Sequence, residues 1–354
     1  MEMIKIDGNY GEGGGQIIRT ALALSTLTGE SFEAFNIRKG RRTPGLKAQH
    51  IHCIKGLEQL CDAKSQFAEI GSDKLVYEPG KTEGKTVSID IGTAGSISLL
   101  LQSLLLPCFF SDKPVRLKIT GGTSGKWAMP YDFFNSIFVP QIRKYCKKID
   151  LKLIRRGYYP KGGGKIDVKI TPHKDKGILP ELNSIEQGRL IQIKGISHAS
   201  RLLEKAQVAE RQAKAAKTLL NKFDTPVNIQ IEYAETFCPG SGITLWGIFS
   251  KDKDEIDINN PILIGADALG EIGKRSEDVG KEAAENLIKE ISSKAPIDSH
   301  TADNLIPFLA LFKGKIKVSE ITEHTRTNMW ICEQFLGKMF EIRENIISVK
   351  QKTF

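Results

Sequence analysis

The chain lacks the sequence patterns of several large enzyme classes. Its 354 residues contain no GxxxxGK[ST] phosphate loop and no GxSxG nucleophile elbow, which excludes the P-loop NTPases and hydrolases built on that elbow. The six cysteines form no CxxC pair and no Cys/His cluster, so we expect buried free thiols and no zinc site. Low-complexity segments and coiled-coil heptads are also missing.

Long apolar runs are absent as well. No segment approaches the ~18 consecutive apolar residues of a membrane helix, and the N-terminal MEMIKIDG has neither the cationic nor the apolar region of a signal peptide. We therefore expect an intracellular, cytoplasmic protein.

The composition is that of a globular protein. Hydrophobic residues make up 40% and charged residues 26%, and the length is enough for roughly two domains. Lysine and arginine together number 51 and acidic residues 42, an excess of 51 − 42 = 9 positive charges. This excess favours a polyanionic partner, although many proteins that never bind nucleic acid have a similar balance.

One pattern of elements occurs three times. In each copy a helix is followed by a strand, a loop and a second helix. The strands before the loops end at Ile37, Ile119 and Ile321, so the offsets are 119 − 37 = 82 and 321 − 119 = 202. The difference of 202 − 82 = 120 indicates that roughly a hundred residues are inserted before the third loop. Three such units should pack around a pseudo-threefold axis as an α/β fold, with their loops along one cleft.

The periodicity also predicts the element bounds. The repeat elements are the helices Ile17–Leu27, Lys47–Leu60, the one that Gly92–Ser98 opens and that runs to Leu106, Phe133–Tyr145, His300–Leu311 and Met329–Met339, and the strands Ser31–Ile37, Gln66–Ile70, Leu75–Pro79, Val115–Thr120, Leu151–Ile154, Lys165–Ile170 and Lys315–Ile321, with closing strands within Phe340–Val349. The insertion contains the elements Leu190–Ile196, Leu202–Phe223, Val227–Tyr233 and Thr244–Ser250. We assign residues 1–183 and 276–354 to a three-repeat domain, and 184–275 to a small inserted α/β domain that should be removable. Limited proteolysis should cut first near Lys174–Glu181.

The stretch ITEHTRTN carries a candidate nucleophile. His324 lies between the predicted strand and helix of the third copy, beside Arg326 and several hydroxyl groups. Such groups can cap the helix, whose free N–H groups and positive dipole end attract an anion. The position suits a nucleophile for phosphoryl chemistry, and the alternative is an ordinary surface histidine on a loop.

A basic loop, RKGRRTPG, follows the first strand. Its Arg38, Arg41 and Arg42 could bind a phosphate, because guanidinium groups hold phosphate oxygens in pairs. A solvated basic loop is the alternative.

The glycines of GEGGGQ allow either close approach to a ligand or close helix packing. Glu12 and Asp303 lie near helix starts, where a carboxylate either holds Mg²⁺ on a triphosphate or caps the helix. Of His50 and His52 only one can face the cleft, and we favour His50, next to Gln49.

Lys5 is a second candidate nucleophile. Residues 5–8 read KIDG and match the KxDG motif of lysine-dependent ligases and capping enzymes. Four residues are a weak signal, and no adenylate pocket precedes them, so we favour His324 over Lys5.

Several motifs taken together resemble one family, the RNA 3′-terminal phosphate cyclases. The resemblance covers residues 4–182 and 278–349 and is much weaker in the insertion. The motifs, in chain order, are DGNYGEGGGQIIRTALALS, IRKGRRTPGLKAQH, IGTAGSISLLLQ, YYPKGGGKI, ADNLIPFLAL and EHTRTN. The resemblance implies three repeats of a four-stranded sheet with two helices, plus a small inserted domain.

The resemblance also implies a reaction and its residues. ATP, with Mg²⁺ or another divalent cation, would adenylylate His324, and the AMP would pass to an RNA 3′-phosphate, which closes to a 2′,3′-cyclic phosphate. Arg38, Arg41 and Arg42 would bind the substrate phosphate, and Glu12 and Asp303 are the candidate metal contacts. The implied nucleotide-binding residues are Glu12, Gln16, Arg19, Gln49, His50, Pro130, His300, Asp303 and Asn304.

Two departures weaken the implied adenine contacts: His300 stands where relatives have tyrosine, and Asn304 where they have glutamine. A non-catalytic branch of the family acts in ribosome assembly, so an RNA-binding assembly factor is the alternative function. Retention of His324 and the arginine loop favours the enzyme. The natural RNA, the oligomeric state and the preferred nucleotide stay open.

Overall fold

Three sheets with one strand order organise the chain. The computed structural model describes residues 3–174, 179–252 and 255–349. In each of the three sheets the first two strands of a repeat pair in parallel, and the last two strands add to them antiparallel. This shared topology confirms the predicted α/β class with repeated four-stranded sheets.

The first repeat begins the described part of the chain and contains an almost fully buried helix. Its elements are β1 (Ile4–Asp7), α1 (Gln16–Thr28), β2 (Phe32–Phe35), α2 (Ala48–Cys61), β3 (Lys64–Gln66) and β4 (Leu75–Glu78). Every residue of α1 from Gln16 to Thr26 is buried, because neighbouring helices cover it on all sides. Gly29 ends α1 in the left-handed conformation (φ 77°), which glycine adopts without a steric cost.

The second repeat follows the same order with a modified second helix. Its elements are β5 (Thr86–Asp90), α3 (Ile97–Phe109), β6 (Val115–Gly121), α4 (Tyr131–Phe133), α5 (Val139–Ile142), β7 (Lys148–Arg155) and β8 (Gly164–Thr171). A π-helical segment, Phe134–Phe138, joins α4 to α5, and Arg143–Tyr145 form a 3-10 turn. The predicted helix Phe133–Tyr145 is therefore continuous but not α-helical throughout.

The insertion begins after a single strand of the third repeat, β9 (Leu182–Ser184). Its elements are β10 (Arg189–Ser200), α6 (Val208–Leu220), β11 (Val227–Ala234), β12 (Ser241–Ser250), β13 (Ile262–Leu269) and α7 (Ser276–Ser292). The strand order is β11-β10-β12-β13. All of β12 is buried, because Leu245 and Phe249 pack with α6 and α7, whereas Trp246 and Ile248 pack against Phe133 of the second repeat.

The third repeat closes the body. After α7 it continues with α8 (Ser299–Phe312), β14 (Gly314–Lys317), α9 (Glu323–Leu336), β15 (Phe340–Arg343) and β16 (Ile346–Val349). One hydrophobic core runs through all three repeats and includes Ile17, Leu100 and Leu305 from α1, α3 and α8. No helix in residues 3–174, 179–252 and 255–349 is long and apolar enough to cross a membrane. The six cysteines are free and buried, as predicted.

Several element predictions were wrong. The first strands of the repeats, β1, β5 and β9, were missed because they are only three to five residues long, and the last strand of the insertion, β13, was missed because its sequence does not alternate. The third-repeat strand is shorter than Lys315–Ile321, and β3 lies before the predicted Gln66–Ile70. The predicted helix Leu202–Phe223 is interrupted at Gln207, which has a positive φ of 50°.

The predicted boundary of the insertion, 184–275, stays a prediction. Val279, Ala283 and Leu287 of α7 are buried in the core of the inserted sheet, so this helix packs with the insertion. Of the predicted protease-sensitive segment Lys174–Glu181, residues 175–178 lie outside the described residues.

Candidate active site

The loops of the three repeats meet at one cavity. Its volume is about 940 Å³, and residues of the insertion form part of its wall. Arg42 and Pro130 are not among the lining residues, and Arg42 is exposed. The predicted site residues that line it are Glu12, Gln16, Arg19, Arg38, Arg41, Gln49, His50, His300, Asp303, Asn304 and His324.

His324 lies in the first turn of α9, not on the loop before it as predicted. Thr322 caps the helix, because its hydroxyl accepts a hydrogen bond from the N–H of Thr325 (3.0 Å). The side chain of His324 is 47% exposed, and its Nδ1 lies 3.8 Å from Oε2 of Glu12. Its carbonyl accepts a bond from Gln16 Nε2 (3.0 Å), which joins α9 to the start of α1. The backbone of His324 is therefore tied to α1, and its half-exposed imidazole is open to the cavity.

Asp303 fixes the start of α9 from the adjacent helix. Its Oδ1 accepts bonds from the hydroxyls of Thr322 and Thr325, both at 2.6 Å. Burial raises the pKa of Asp303. The residue does not cap α8, because Asp298 accepts the bond from Thr301 N–H at that position. Asp303 thus sets the position of the turn that carries His324.

Two arginines from the basic loop present unsatisfied donors. The buried Nε atoms of Arg38 and Arg41 have no hydrogen-bond partner among the described residues. Arg41 pairs with Glu12 through Nη2 (3.0 Å), and Arg38 reaches only the carbonyl of Thr43 (3.4 Å). Burial, followed by the charge of Arg41, lowers the pKa of Arg38. Buried donors without a partner mark a place where an anion would complete the bonding.

A chain of hydrogen bonds crosses the first helices of all three repeats. Arg19 Nε donates to Gln102 Oε1, and Gln102 Nε2 donates to Asn304 Oδ1, both at 2.7 Å. Asn304 in turn donates to the carbonyl of His300 (2.9 Å). Burial lowers the pKa of Arg19 to about 10, so it stays cationic at neutral pH. The chain holds a positive charge inside the cavity at a fixed place.

His50 is buried beside the glycine turn. Its Nδ1 accepts a bond from the N–H of Lys47 (3.0 Å), which leaves the ring proton on Nε2. Burial, with Arg19 and Arg38, lowers the pKa of His50 to about 3, so the ring is neutral. A Cβ at Gly15 would lie 2.3 Å from Nε2, so a side chain there would displace the imidazole. Part of the GEGGGQ motif thus serves the packing of α1 on this histidine.

Lys5 does not share the cavity. It lies in β1, is exposed, and pairs with Glu33 on the neighbouring strand. Lys5 of the KxDG motif therefore lies outside this cavity.

Glu12 and Asp303 could add a ligand to a metal ion that is already bound to another molecule, such as a polyphosphate. Among the described residues, no group of three or more His, Cys, Asp and Glu side chains could hold a metal ion. Oδ1 of Asp303 already accepts two bonds from hydroxyls, whereas Glu12 is 43% exposed at the cavity wall. A metal held by the protein alone does not fit, but one bound to a polyphosphate needs only one such carboxylate.

Sequence reasoning missed several lining residues. Gln102 was within a quoted motif, and its position in the apolar helix α3 was a usable signal. Asn328 bridges Thr20 of α1 (2.9 Å) and the carbonyl of Asp303 (2.7 Å). Asp267 comes from the insertion, and no local pattern distinguishes it.

Comparisons with known proteins agree over almost the entire chain. A family model described as RNA 3′-terminal phosphate cyclase matches residues 10–342. A protein of that name from Pyrococcus furiosus is 44% identical over 344 residues, which are 97% of this chain and 96% of the relative. The corresponding protein of Archaeoglobus fulgidus is 40% identical over 351 residues, 98% of this chain and 100% of the relative. The matches include the insertion, where the quoted motifs are absent.

Proposed function

The chain belongs to the RNA 3′-terminal phosphate cyclase family, and we propose that it converts an RNA 3′-terminal phosphate into a 2′,3′-cyclic phosphodiester with ATP. In the proposed reaction His324 becomes adenylylated, the AMP passes to the RNA end, and ring closure releases AMP. The reaction would take place in the cytoplasm.

One observation carries this proposal. His324, Arg38 and Arg41 line the same cavity, and the two arginines keep buried Nε donors without partners. An exposed imidazole beside unsatisfied cationic donors suits attack on a phosphorus atom whose oxygens the arginines neutralise. A surface histidine with no role in catalysis would not require unsatisfied arginine donors in the same cavity.

The steps assign a task to each group. A lone pair of the neutral His324 ring would attack the α-phosphorus of ATP, forming a P–N bond as pyrophosphate leaves. An oxygen of the RNA 3′-phosphate would then attack the same phosphorus and displace the imidazole. Finally, the 2′-hydroxyl would attack the activated 3′-phosphate, lose its proton and expel AMP.

The remaining lining residues would bind and orient. Arg19 is cationic and fixed through Gln102, so it suits the polyphosphate. His50 can donate through Nε2 without adding charge. Mg²⁺ on the triphosphate would contact Glu12 and neutralise charge on the phosphate oxygens.

Transfer of label from α-³²P-ATP to the protein tests this function. We expect the wild type to become labelled and His324→Ala to lose all labelling, because no other side chain would replace the nucleophile. Lys5→Ala and His173→Ala, both outside the cavity, should keep it.

Two other results would contradict the proposal. Labelling that depends on Lys5 and not on His324 would place the chemistry on KxDG. A wild type that binds 3′-phosphorylated RNA but never becomes labelled would favour the non-catalytic assembly factor.

A further inference from the structure

We propose that Trp127 is a stacking platform for an unpaired base of the RNA strand, upstream of the terminal nucleotide. The inference rests on the proposed function, because it concerns how the same cavity receives its RNA. Trp127 lies in the loop between β6 and α4, and it lines the cavity together with Lys126.

The indole of Trp127 is uncovered, unlike those of the two other tryptophans. Trp330 stacks on Tyr10 with ring centroids 3.9 Å apart, and Trp246 is buried at the face of the inserted sheet. Trp127 is 94% exposed and stacks on no aromatic ring of the described residues. Since the residue lines the cavity and is also exposed, we place its ring at the cavity mouth.

The backbone that presents the ring is fixed. Trp127 has a φ of 63°, a left-handed conformation that costs energy in a non-glycine residue and persists only when its surroundings impose it. On one side of it, Lys126 pairs with Glu271 of the insertion (2.9 Å). On the other, the carbonyl of Met129 accepts a bond from Ser98 (2.6 Å). The ring is therefore held out towards solvent from two anchored neighbours.

The position favours an RNA base over the base of ATP. The inner wall has its own apolar surface from Leu99, Phe138 and Phe308, which can enclose one nucleobase. A ring at the mouth faces the strand that must enter from outside, whereas the nucleotide would occupy the inner part of the cavity. Exposed aromatic rings next to cationic groups are how proteins bind unpaired bases without sequence preference.

Kinetics of the complete enzyme test the inference. Trp127→Ala should raise the KM for 3′-phosphorylated RNA about tenfold, the loss expected from one stacked base, and Trp127→Phe should restore most of it. Phe67→Ala is a matched control, because Phe67 is also exposed (50%), also has a positive φ (60°) and lies near a lysine, Lys74, but does not line the cavity. It should behave as the wild type.

Two measurements separate the possible explanations. RNAs with one abasic site at successive positions should bind the wild type about tenfold more weakly at one position upstream of the end. Trp127→Ala should be insensitive at that position. Equal sensitivity of the two proteins at every position would overturn the inference, as would a raised KM for ATP in self-adenylylation without RNA. Binding measured by fluorescence anisotropy without ATP keeps this test valid even if adenylylation itself fails.

Discussion

At the scale of single residues, the basic loop shows how neighbours with the same side chain differ in role. Arg41 lies at the cavity wall, where its Nη2 forms an ion pair with Glu12. Its buried Nε has no hydrogen-bond partner in the part of the chain that the structure describes. Arg42, the next residue, is exposed and does not line the cavity. The sequence RKGRR offers no means of telling them apart, because the separation depends on the turn that the loop makes.

This difference makes a matched pair of variants. Arg41→Ala should slow transfer of AMP to 3′-phosphorylated RNA by the equivalent of about 2–5 kcal/mol, because a charged contact at a partly desolvated site is lost. Overall RNA affinity should fall much less, since most of it comes from phosphates away from the end. Single-turnover transfer from the adenylylated protein measures the first effect, and filter binding the second.

Arg42→Ala is the control and should leave the transfer rate within twofold or so of the wild type. If both variants lost transfer equally, the loop would act through its total charge, and the assignment of a specific contact to Arg41 would be wrong.

At the scale of elements, the contact between α8 and α9 links catalysis to packing. Thr325 is fully buried, and its hydroxyl donates to Asp303 on the neighbouring helix (2.6 Å). This hydrogen bond takes no part in the reaction. It sets the position of the first turn of α9, with His324, at the cavity wall. It is a positioning contact.

Replacing the hydroxyl tests that role. Thr325→Val keeps the shape of the side chain and leaves one lone pair of Asp303 without its donor, so it should lower stability by about 1–3 kcal/mol. It should also reduce the rate of self-adenylylation while the KM for ATP changes little. Thr325→Ser retains the hydroxyl and should restore the rate.

A merely structural role would give a different result. In that case the rate per folded molecule, measured well below the unfolding temperature, would be the same for Thr325→Val and the wild type.

At the scale of the whole molecule, a buried ionic cluster joins the insertion to the body. Arg156 is 2% exposed and binds Asp132 of α4 (2.7 and 3.0 Å) and Glu232 of β11 (2.7 and 2.8 Å). Asp132 is buried as well, and His198 of β10 lies 3.4 Å from it. Helix α4 and the loop after β7 of the body therefore share one network with two strands of the insertion.

Removal of the shared cation should be costly. We expect Arg156→Met to lower the free energy of unfolding by about 3–5 kcal/mol, because the carboxylate of Asp132 would stay buried without its counter-charge. Urea unfolding followed by circular dichroism measures the loss.

Arg116→Met provides the contrast, since Arg116 makes a bidentate pair with Asp167 at the surface. It should cost far less than Arg156→Met, because an exposed ion pair is screened by solvent. Equal losses for the two variants would mean that the buried network does not hold the insertion in place.

The sequence predicted the repeats well because each copy shows the same order of helix, strand, loop and helix, and several of the helices are long and periodic. The two carboxylates singled out at helix starts, Glu12 and Asp303, both line one cavity. The helical start of α9 was mistaken for a loop because its cap is Thr322, two residues before His324, and the polar residues after it resembled loop composition. Contacts such as Asp267 at the cavity wall arise only when the insertion docks, and no local pattern contains that information.

The place of the insertion has a consequence for how the chain acquires its structure. Gly314 of β14 pairs with Leu182 of β9, and 314 − 182 = 132 residues separate them. Closing so long a loop is entropically costly unless the intervening chain has already become compact. During synthesis β9 therefore stays unpaired until the inserted sheet has been made and has folded. The third sheet closes last, and the turn that carries His324 lies between its strands β14 and β15, so a growing polypeptide cannot complete the cavity before its final repeat has emerged.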